Sequence, residues 1–241
     1  KPSQFNIYKI DGGYILNENE NIHASVIGMT VDYLTRFVMG AELLEAFKIS
    51  CTGAKLAEEL FGQKNAMKKA GKLLSDIKSV DEKSIINACK LVTYDVWYRN
   101  PMGARKAKGA DETNPDKETI QNIEIMVQRS VKFWERYGPI VKDGFTFEPN
   151  GYTETVDSGD GDYLTADTIW DFKVSKSKPT NKHTLQLLMY WIMGQYSGQE
   201  IYKNIQNLGI FNPRLYEVYL LNVDTISKNI IAEIERDIIC Y

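Results

Sequence analysis

The chain has 241 residues, a formal net charge of −3 and a sequence pI of about 5.6. With 43% hydrophobic and 25% charged residues, its composition is ordinary for a globular protein that buries a substantial core. The negative net charge excludes an overall basic surface of the kind that is typical of nucleic-acid-binding proteins. Any contact with a polyanion therefore requires a local basic stripe.

The cysteines and the apolar runs predict the compartment of the protein. Cys51, Cys89 and Cys240 are far apart and odd in number, which favours a reducing interior over a disulfide framework or a zinc site. No apolar run approaches the length of a transmembrane helix, and the first residues do not lead into the apolar core of a signal peptide. We therefore expect a cytoplasmic protein without membrane contact.

The first half of the chain is predicted to be mainly helical. Before it, Asn6–Ile10 and Tyr14–Leu16 predict a small hairpin around the turn sequence Asp11-Gly12-Gly13. A helical pattern then runs from about Val26 to Tyr137. The breaks expected in this pattern lie near Gly40, Gly53, Gly62, Ser79 and residues 100–114.

The second half predicts short strands with helices between them. A helix is expected over residues 180–194, and Asp224 is expected to cap a last helix that reaches Cys240. This order predicts one α/β domain over residues 1–241, with a helical elaboration over about 25–140 and an α/β core over about 141–241. The predicted strands cover residues 153–157, 163–165, 168–174 and 215–223.

A predicted hairpin brings two aspartates of the α/β core together. Thr165 is expected to pair with Thr168 across the two-residue turn between them. The same register places Asp162 opposite Asp171. Directly opposed side chains have Cβ atoms about 4.5–5.5 Å apart, and like charges placed there are destabilising. We therefore expect positive charge to offset the repulsion between these carboxylates.

The alternation of side chains along a strand adds a lysine to the two carboxylates. Lys173 shares a face with Asp162 and Asp171, whereas Trp170 and Phe172 point to the other, apolar face. A hard divalent cation such as Mg²⁺ takes carboxylate, carbonyl and water oxygens. The two aspartates and the backbone carbonyl of Phe172 are therefore predicted to form a partial metal shell, with Lys173 beside it.

The helix predicted after this hairpin carries a polar row. Gln186 and Tyr190 are four residues apart and therefore lie on one helix face. They could hydrogen-bond a nucleic-acid backbone, brace a metal site, or form an ordinary face packed against the sheet. His183 lies one turn earlier, but such a histidine is more often a helix-surface residue, so we leave it out of the catalytic set.

Three motifs occur in a fixed order: G-x-x-D at residues 159–162, D-x-K at 171–173 and Q-x-x-x-Y at 186–190. Together they resemble the RecB-like branch of the PD-(D/E)xK nuclease superfamily, the branch of phage-type exonucleases, over roughly residues 145–225. The D-x-K tripeptide alone is uninformative, because it recurs at 76–78 and 81–83. Taken singly, its charges would form an ordinary surface salt-bridge cluster, and only the ordered set favours a metal site.

The resemblance implies a restriction-endonuclease-like α/β fold, in which helices flank a mixed central sheet and a helical elaboration precedes it. It implies that Asp162 and Asp171 bind Mg²⁺ or Mn²⁺ and that Lys173 is the catalytic lysine. Lys173 would orient or help deprotonate the attacking water, or stabilise the charge that develops on the phosphate. Gln186 and Tyr190 would support the active site.

The resemblance also implies a further acidic or histidine ligand on an upstream helix, often a few residues after a glycine. Glu45, which follows Gly40, is the favoured residue. Glu58 and Glu59, which follow Gly53, are the alternatives.

The implied activity is metal-dependent hydrolysis of DNA phosphodiester bonds. The favoured type of enzyme is an exonuclease that acts on linear ends in recombination, repair or phage-related DNA processing. Lys176, Lys178 and Lys182 closely follow the expected metal site and are predicted to hold DNA phosphates. The alternatives are a catalytically inactive nucleic-acid-binding or scaffolding module of the same fold, and a sequence-specific endonuclease. RNA as substrate, a homo-oligomer and a partner recombination protein stay open.

Overall fold

The computed structural model describes residues 1–10 and 13–241 of the chain. These residues form a mixed α/β protein, as predicted, divided into two compact units. The helical unit is Gly13–Lys132, and the sheet unit combines Lys1–Gly12 with Phe133–Tyr241. That both units belong to one nuclease domain stays a prediction.

The sheet unit is built on a mixed sheet of six strands in the order β1-β6-β5-β4-β3-β2. The central pair β4 and β5 is parallel, and the other neighbouring pairs are antiparallel. The strands are β1 (Asn6–Lys9), β2 (Lys142–Phe145), β3 (Gly161–Leu164), β4 (Thr168–Phe172), β5 (Asn207–Asn212) and β6 (Glu217–Asn222).

The structure corrects two strand predictions and adds two strands that were not predicted. The strand predicted over Asn6–Ile10 is present as β1, but its predicted pairing with Tyr14–Leu16 is wrong, because β1 pairs with β6 and Tyr14–Leu16 lies in no strand. The predicted turn residues 11 and 12 lie outside the described residues. The strand predicted over 153–157 is wrong, because the chain bends at 154–156 and the N–H of Thr153 bonds locally to the carbonyl of Val156 at 3.1 Å. The sequence prediction missed both β2 and β5.

The described part of the helical unit contains seven complete helices, α1 to α7, and most of an eighth, α8. One predicted break is wrong: Gly53 lies inside α3, where a Cβ would come within 2.0 Å of the Tyr94 carbonyl oxygen. The glycine therefore permits close packing of α3 and α6 instead of ending a helix. The bounds are α1 (Ala24–Val38), α2 (Leu43–Ala46), α3 (Lys48–Glu59), α4 (Ala66–Ser75), α5 (Glu82–Val92), α6 (Asp95–Arg99), α7 (Pro101–Ala104) and α8 (Lys117–Tyr137).

Two different layers cover the faces of the sheet within the sheet unit. On one face, α9 (Asn181–Tyr196) packs its apolar residues, among them Leu187 and Ile192, into the main core of the unit. On the other face, Phe133 at the end of α8 stacks on Phe211 of β5 with ring centroids 3.9 Å apart. The polar row of α9 therefore belongs to the face opposite this aromatic layer.

The chain ends in α10 (Lys228–Ile234), followed by a wider helical turn over Glu235–Ile239. The predicted cap is wrong: Asp224 lies in a short turn before the helix, and Ser227 caps α10 by accepting a hydrogen bond from the N–H of Asn229. None of the helices in residues 1–10 and 13–241 has both the length and the apolar character needed to cross a membrane.

Candidate metal centre

The hairpin of β3 and β4 has the register that the sequence predicted. Tyr163 pairs with Trp170, and Leu164 pairs with Ile169. The turn is closed by a hydrogen bond of 3.0 Å from the N–H of Thr165 to the carbonyl of Thr168. Continuing this register by one residue places Asp162 opposite Asp171.

Asp162 is anchored to the opposite strand through its side chain. Its Oδ2 atom accepts a hydrogen bond of 2.7 Å from the backbone N–H of Phe172. Phe172 itself is buried on the aromatic face, where its ring lies 5.8 Å from that of Phe211. Asp162 is therefore held close to Asp171 and Lys173, the residues on either side of Phe172. Ligation by the Phe172 carbonyl stays a prediction.

The loop before Asp162 is fixed by a tyrosine that the sequence prediction did not include. The hydroxyl of Tyr152 donates a hydrogen bond of 2.6 Å to the carbonyl of Gly159 and accepts one of 3.3 Å from the N–H of Phe147. Gly159 has a φ of +141°, a conformation that L side chains rarely adopt. Tyr152 therefore holds the loop three residues before the first aspartate, at a position whose backbone conformation suits glycine.

Gly161, the first residue of β3, allows the Phe145 ring of β2 to pack against the backbone. It pairs with Phe145 of β2, and the ring of Phe145 lies where a Cβ of residue 161 would stand, at 1.8 Å. Phe145 is itself buried in the main core of the sheet unit. The Gly-Asp-Gly-Asp sequence thus combines a positive φ, at Gly159, with a close approach, at Gly161.

Asp171 has one partnered and one unpartnered oxygen. The Lys173 ammonium lies 2.9 Å from Oδ1, while Oδ2 is buried and has no hydrogen-bond partner among the described residues. The side chain as a whole is 12% exposed. A buried carboxylate oxygen without a donor is costly, and a bound cation would offset that cost.

The charge of Lys173 is retained despite its burial. Burial would by itself lower the pKa of this lysine, but the interactions with its acidic neighbours, led by the charge and hydrogen bond of Asp171, together raise the pKa above its usual value. The charge of Asp162 adds to this effect. Lys173 is therefore an ammonium ion that partly offsets the repulsion between the two carboxylates.

Tyr190 joins the cluster from α9. Burial raises the pKa of its phenol, and a hydrogen bond of 3.0 Å from Gln186 Nε2 opposes the rise. The charges of Asp162, Asp171 and the exposed Asp160 raise the pKa further, which they can do only from nearby. The structure thus brings Gln186 and Tyr190 to the predicted carboxylates, and it adds Asp160, which the sequence prediction did not include.

His183 has a local role at the start of α9. Its Nδ1 atom accepts a hydrogen bond of 3.1 Å from the backbone N–H of Thr180, so the side chain caps the helix. Burial lowers the pKa of His183, the Lys173 ammonium lowers it further, and the Asp171 carboxylate opposes both. The imidazole therefore lies close enough to Asp171 and Lys173 to feel their charges, while its Nδ1 atom caps α9.

The upstream acidic residues all lie in the helical unit. Glu45 of α2 is 3.6 Å from the Lys48 ammonium, and Glu58 of α3 accepts a hydrogen bond of 2.8 Å from the N–H of Met67. Glu59 is exposed at the end of α3. Across the described chain, no group of three or more His, Cys, Asp and Glu side chains is placed to hold a metal ion. Ligation by any of these glutamates stays a prediction.

The lysines predicted to contact DNA follow β4 closely. Lys176 and Lys178 are exposed in the segment between β4 and α9, and Lys182 is exposed in the first turn of α9. The segment is attached to the sheet where Asn212 Nδ2 donates a hydrogen bond of 2.8 Å to the carbonyl of Ser175. Their contact with phosphates stays a prediction.

The residues at this site fit a hard divalent cation with few protein ligands. Mg²⁺ is usually held by one or two carboxylates, with waters and substrate phosphates completing its octahedron. Asp162 and Asp171 supply two carboxylates, and the buried Oδ2 of Asp171 supplies an oxygen without a donor. Comparison with protein-family models, curated proteins and solved structures found no match for this chain.

Proposed function

We propose that this protein is a Mg²⁺- or Mn²⁺-dependent deoxyribonuclease that degrades DNA from linear ends. The observation that carries the proposal is the buried Oδ2 of Asp171, which has no hydrogen-bond partner in the described part of the chain. Its carboxylate is held beside Asp162 and is paired through the other oxygen with Lys173. A carboxylate oxygen kept without a donor is accounted for most simply by a cation.

The chemistry that a bound divalent cation supplies is a lowered pKa of the attacking water and neutralisation of charge on the scissile phosphate. Asp162 and Asp171 hold that cation. The carboxylate of Asp162 is kept in place by the N–H of Phe172, so it needs little reordering when the cation binds.

Lys173 stabilises negative charge that develops on the phosphate. Its ammonium is already oriented by Asp171 at 2.9 Å and is only partly exposed. Partial burial strengthens its attraction for an anion compared with a lysine in water. The hydrogen-bonded pair of Gln186 and Tyr190 lies on the same side and positions either the substrate or the first aspartate.

The ordered motifs of residues 159–190 resemble those of RecB-like exonucleases. This resemblance is the basis for proposing DNA as the substrate and linear ends as the sites where degradation begins. The mixed six-stranded sheet is consistent with a restriction-endonuclease-like core. Lys176, Lys178 and Lys182 supply a local basic stripe in an otherwise acidic chain.

The test incubates the whole chain with linear duplex, closed circular duplex and single-stranded DNA, each with Mg²⁺ or Mn²⁺. Asp171→Asn and Lys173→Met are compared with Asp157→Asn, which changes an exposed aspartate in the loop before β3. We expect the control to retain activity and the first two variants to lose it by at least about a hundredfold. Activity that survives both substitutions would overturn the assignment.

The same assay separates the two alternative functions. Discrete fragments from circular DNA would indicate an endonuclease. Binding of DNA without cleavage of any substrate, under both metals, would indicate a catalytically inactive binding module.

A further inference from the structure

A cavity of about 710 Å³ lies within the helical unit. It is lined by the first turns of α1, the end of α5, α6 and the segment from Gly103 to Asn114. This volume lies within the range of about 300–1,000 Å³ that is typical of small-molecule sites. The proposed nuclease reaction does not use it, since the aspartates, Lys173 and α9 all belong to the sheet unit.

The helices α1, α5 and α6 contribute an aliphatic wall to the cavity. Val26 and Met29 of α1, Val92 of α5 and Val96 of α6 all line it. Val92 is buried, and the other three are partly buried. Such a wall favours a ligand with an apolar body, because burial of apolar surface contributes about 25 cal/mol per Å².

The segment from Gly103 to Asn114 adds positive charge to the lining of the cavity. Lys106 and Lys108 line it, are exposed, and form no ion pair within the described chain. The acidic residue of the lining is Glu112, whose Oε2 accepts a hydrogen bond of 3.2 Å from the N–H of Gly109. The two ammonium groups therefore outnumber the single carboxylate, and a ligand of complementary charge is an anion.

Two other polar side chains of the lining, Asn21 and His23, are already used by the fold. Asn21 Nδ2 donates to the carbonyl of Asn114 at 2.9 Å, and its Oδ1 accepts from the N–H of Asp116 at 3.0 Å. His23 uses its Nδ1 to accept from the N–H of Ser25 at 3.2 Å. Asn21 and His23 are thus held in place by the fold. The ammonium groups of Lys106 and Lys108 stay available to a ligand.

We propose that this cavity binds a small organic anion, with its apolar body against the valine and methionine wall and its acidic group paired with Lys106 and Lys108. The inference is independent of the nuclease proposal. It holds equally for a carboxylate, a sulfonate or a phosphate ester, because all three present an anionic group on an apolar body.

The test uses two fluorescent probes that differ by one sulfonate. 8-Anilino-1-naphthalenesulfonate carries the charge, and N-phenyl-1-naphthylamine is its neutral counterpart. With the whole chain, we expect saturable binding of the anionic probe at one site per chain, weakened by salt. Lys106→Gln with Lys108→Gln should weaken the anionic probe about fivefold and leave the neutral probe unchanged.

Two further variants keep the result interpretable. Lys55→Gln with Lys72→Gln removes the same charge from exposed positions outside the cavity and should leave both affinities unchanged. Met29→Trp fills the cavity and should weaken both probes, provided that its melting temperature shows a folded chain.

Three results would overturn the proposal. The first is an affinity for the anionic probe that does not change in the Lys106 and Lys108 double variant. The second is several equivalent probe sites per chain. The third is a dimer, seen by sedimentation, that Met29→Trp dissociates, because a second copy of the chain would then occupy the cavity.

Discussion

The backbone N–H of Phe172 and the carboxylate of Asp162 are joined by a hydrogen bond of 2.7 Å across the hairpin. This bond gives Asp162 a structural role that is separable from metal binding. Asp162→Ala leaves a partly buried N–H without its acceptor and should lower the free energy of unfolding by about 1–3 kcal/mol. Asp162→Asn keeps an acceptor oxygen and should cost less. Urea denaturation of both variants measures the difference; equal losses would contradict the role of the bond.

Metal binding at the hairpin should stabilise the folded chain. A ligand that binds only the folded state, at ten times its dissociation constant, raises the free energy of unfolding by about 1.4 kcal/mol. Mg²⁺ or Mn²⁺ should therefore raise the melting temperature of the unmodified chain and of Asp157→Asn. In Asp171→Asn, differential scanning calorimetry should show no such rise, and a rise of the same size there would place the cation elsewhere.

The bridge that Tyr152 makes between Phe147 and Gly159 should influence metal affinity without contact with the metal. Tyr152→Phe removes only the hydroxyl and should cost about 1 kcal/mol of stability. Because the loop then holds Asp162 less firmly, Mn²⁺ affinity measured by electron paramagnetic resonance should fall.

The matched control for Tyr152→Phe is Tyr8→Phe, which removes a hydroxyl from a tyrosine that is 46% exposed on β1. It should change neither stability nor Mn²⁺ affinity. If Tyr152→Phe binds Mn²⁺ as tightly as this control, the tyrosine has no positioning role.

Gly161 and Gly71 should respond in opposite ways to alanine. A Cβ at residue 161 would overlap the Phe145 ring at 1.8 Å, so Gly161→Ala should lower the free energy of unfolding by about 1–3 kcal/mol. Gly71 lies exposed in α4 with nothing within 4 Å of an added Cβ, so Gly71→Ala should stabilise by about 0.4–1 kcal/mol. Thermal unfolding of the two variants tests both signs.

Stability should depend on pH through Asp95 of the helical unit. Asp95 is fully buried, with hydrogen bonds of 2.6 Å from Tyr33 and 2.5 Å from Ser50. Burial raises its pKa, more than these bonds lower it, above the ordinary value of 3.8. The folded state thus binds the proton more tightly than the unfolded state, so this contribution to stability is present below about pH 3.8 and is lost as pH rises through the raised pKa.

The comparison for Asp95 is with Asp95→Asn, which cannot titrate. The unfolding free energy of the unmodified chain, minus that of the variant, should fall as pH rises from 3.8 toward neutrality. Urea denaturation at a series of pH values gives this difference. A difference that grows with pH would mean that the ion pair with Arg99 outweighs burial.

The register of the β3–β4 hairpin could be predicted because a two-residue turn fixes which residues face each other. Once Thr165 and Thr168 are paired, the positions of Asp162 and Asp171 follow. The helix face of Gln186 and Tyr190 follows equally from a spacing of four. Local sequence spacing was therefore enough to predict which of these residues face one another in the candidate site.

What the sequence did not reveal depends on contacts between distant segments. β5 is parallel to β4, so no turn between the two strands signals their pairing. Its Gly209, which weakens a strand pattern, is needed because the Trp170 ring lies where a Cβ would stand, at 2.3 Å. The bond from Tyr152 to Gly159 likewise follows no periodic pattern, because the path of an irregular loop sets it.

The pairing of β1 with β6 makes the sheet unit discontinuous along the chain, since Gly13–Lys132 lies between its two parts. Loop-closure entropy makes a contact across such a separation slow to form, whereas β5 and β6 are neighbours in sequence and can pair early. Until β1 arrives, one edge of β6 presents unpaired backbone groups. The interval between these two events is when nascent chains are most prone to associate through that edge.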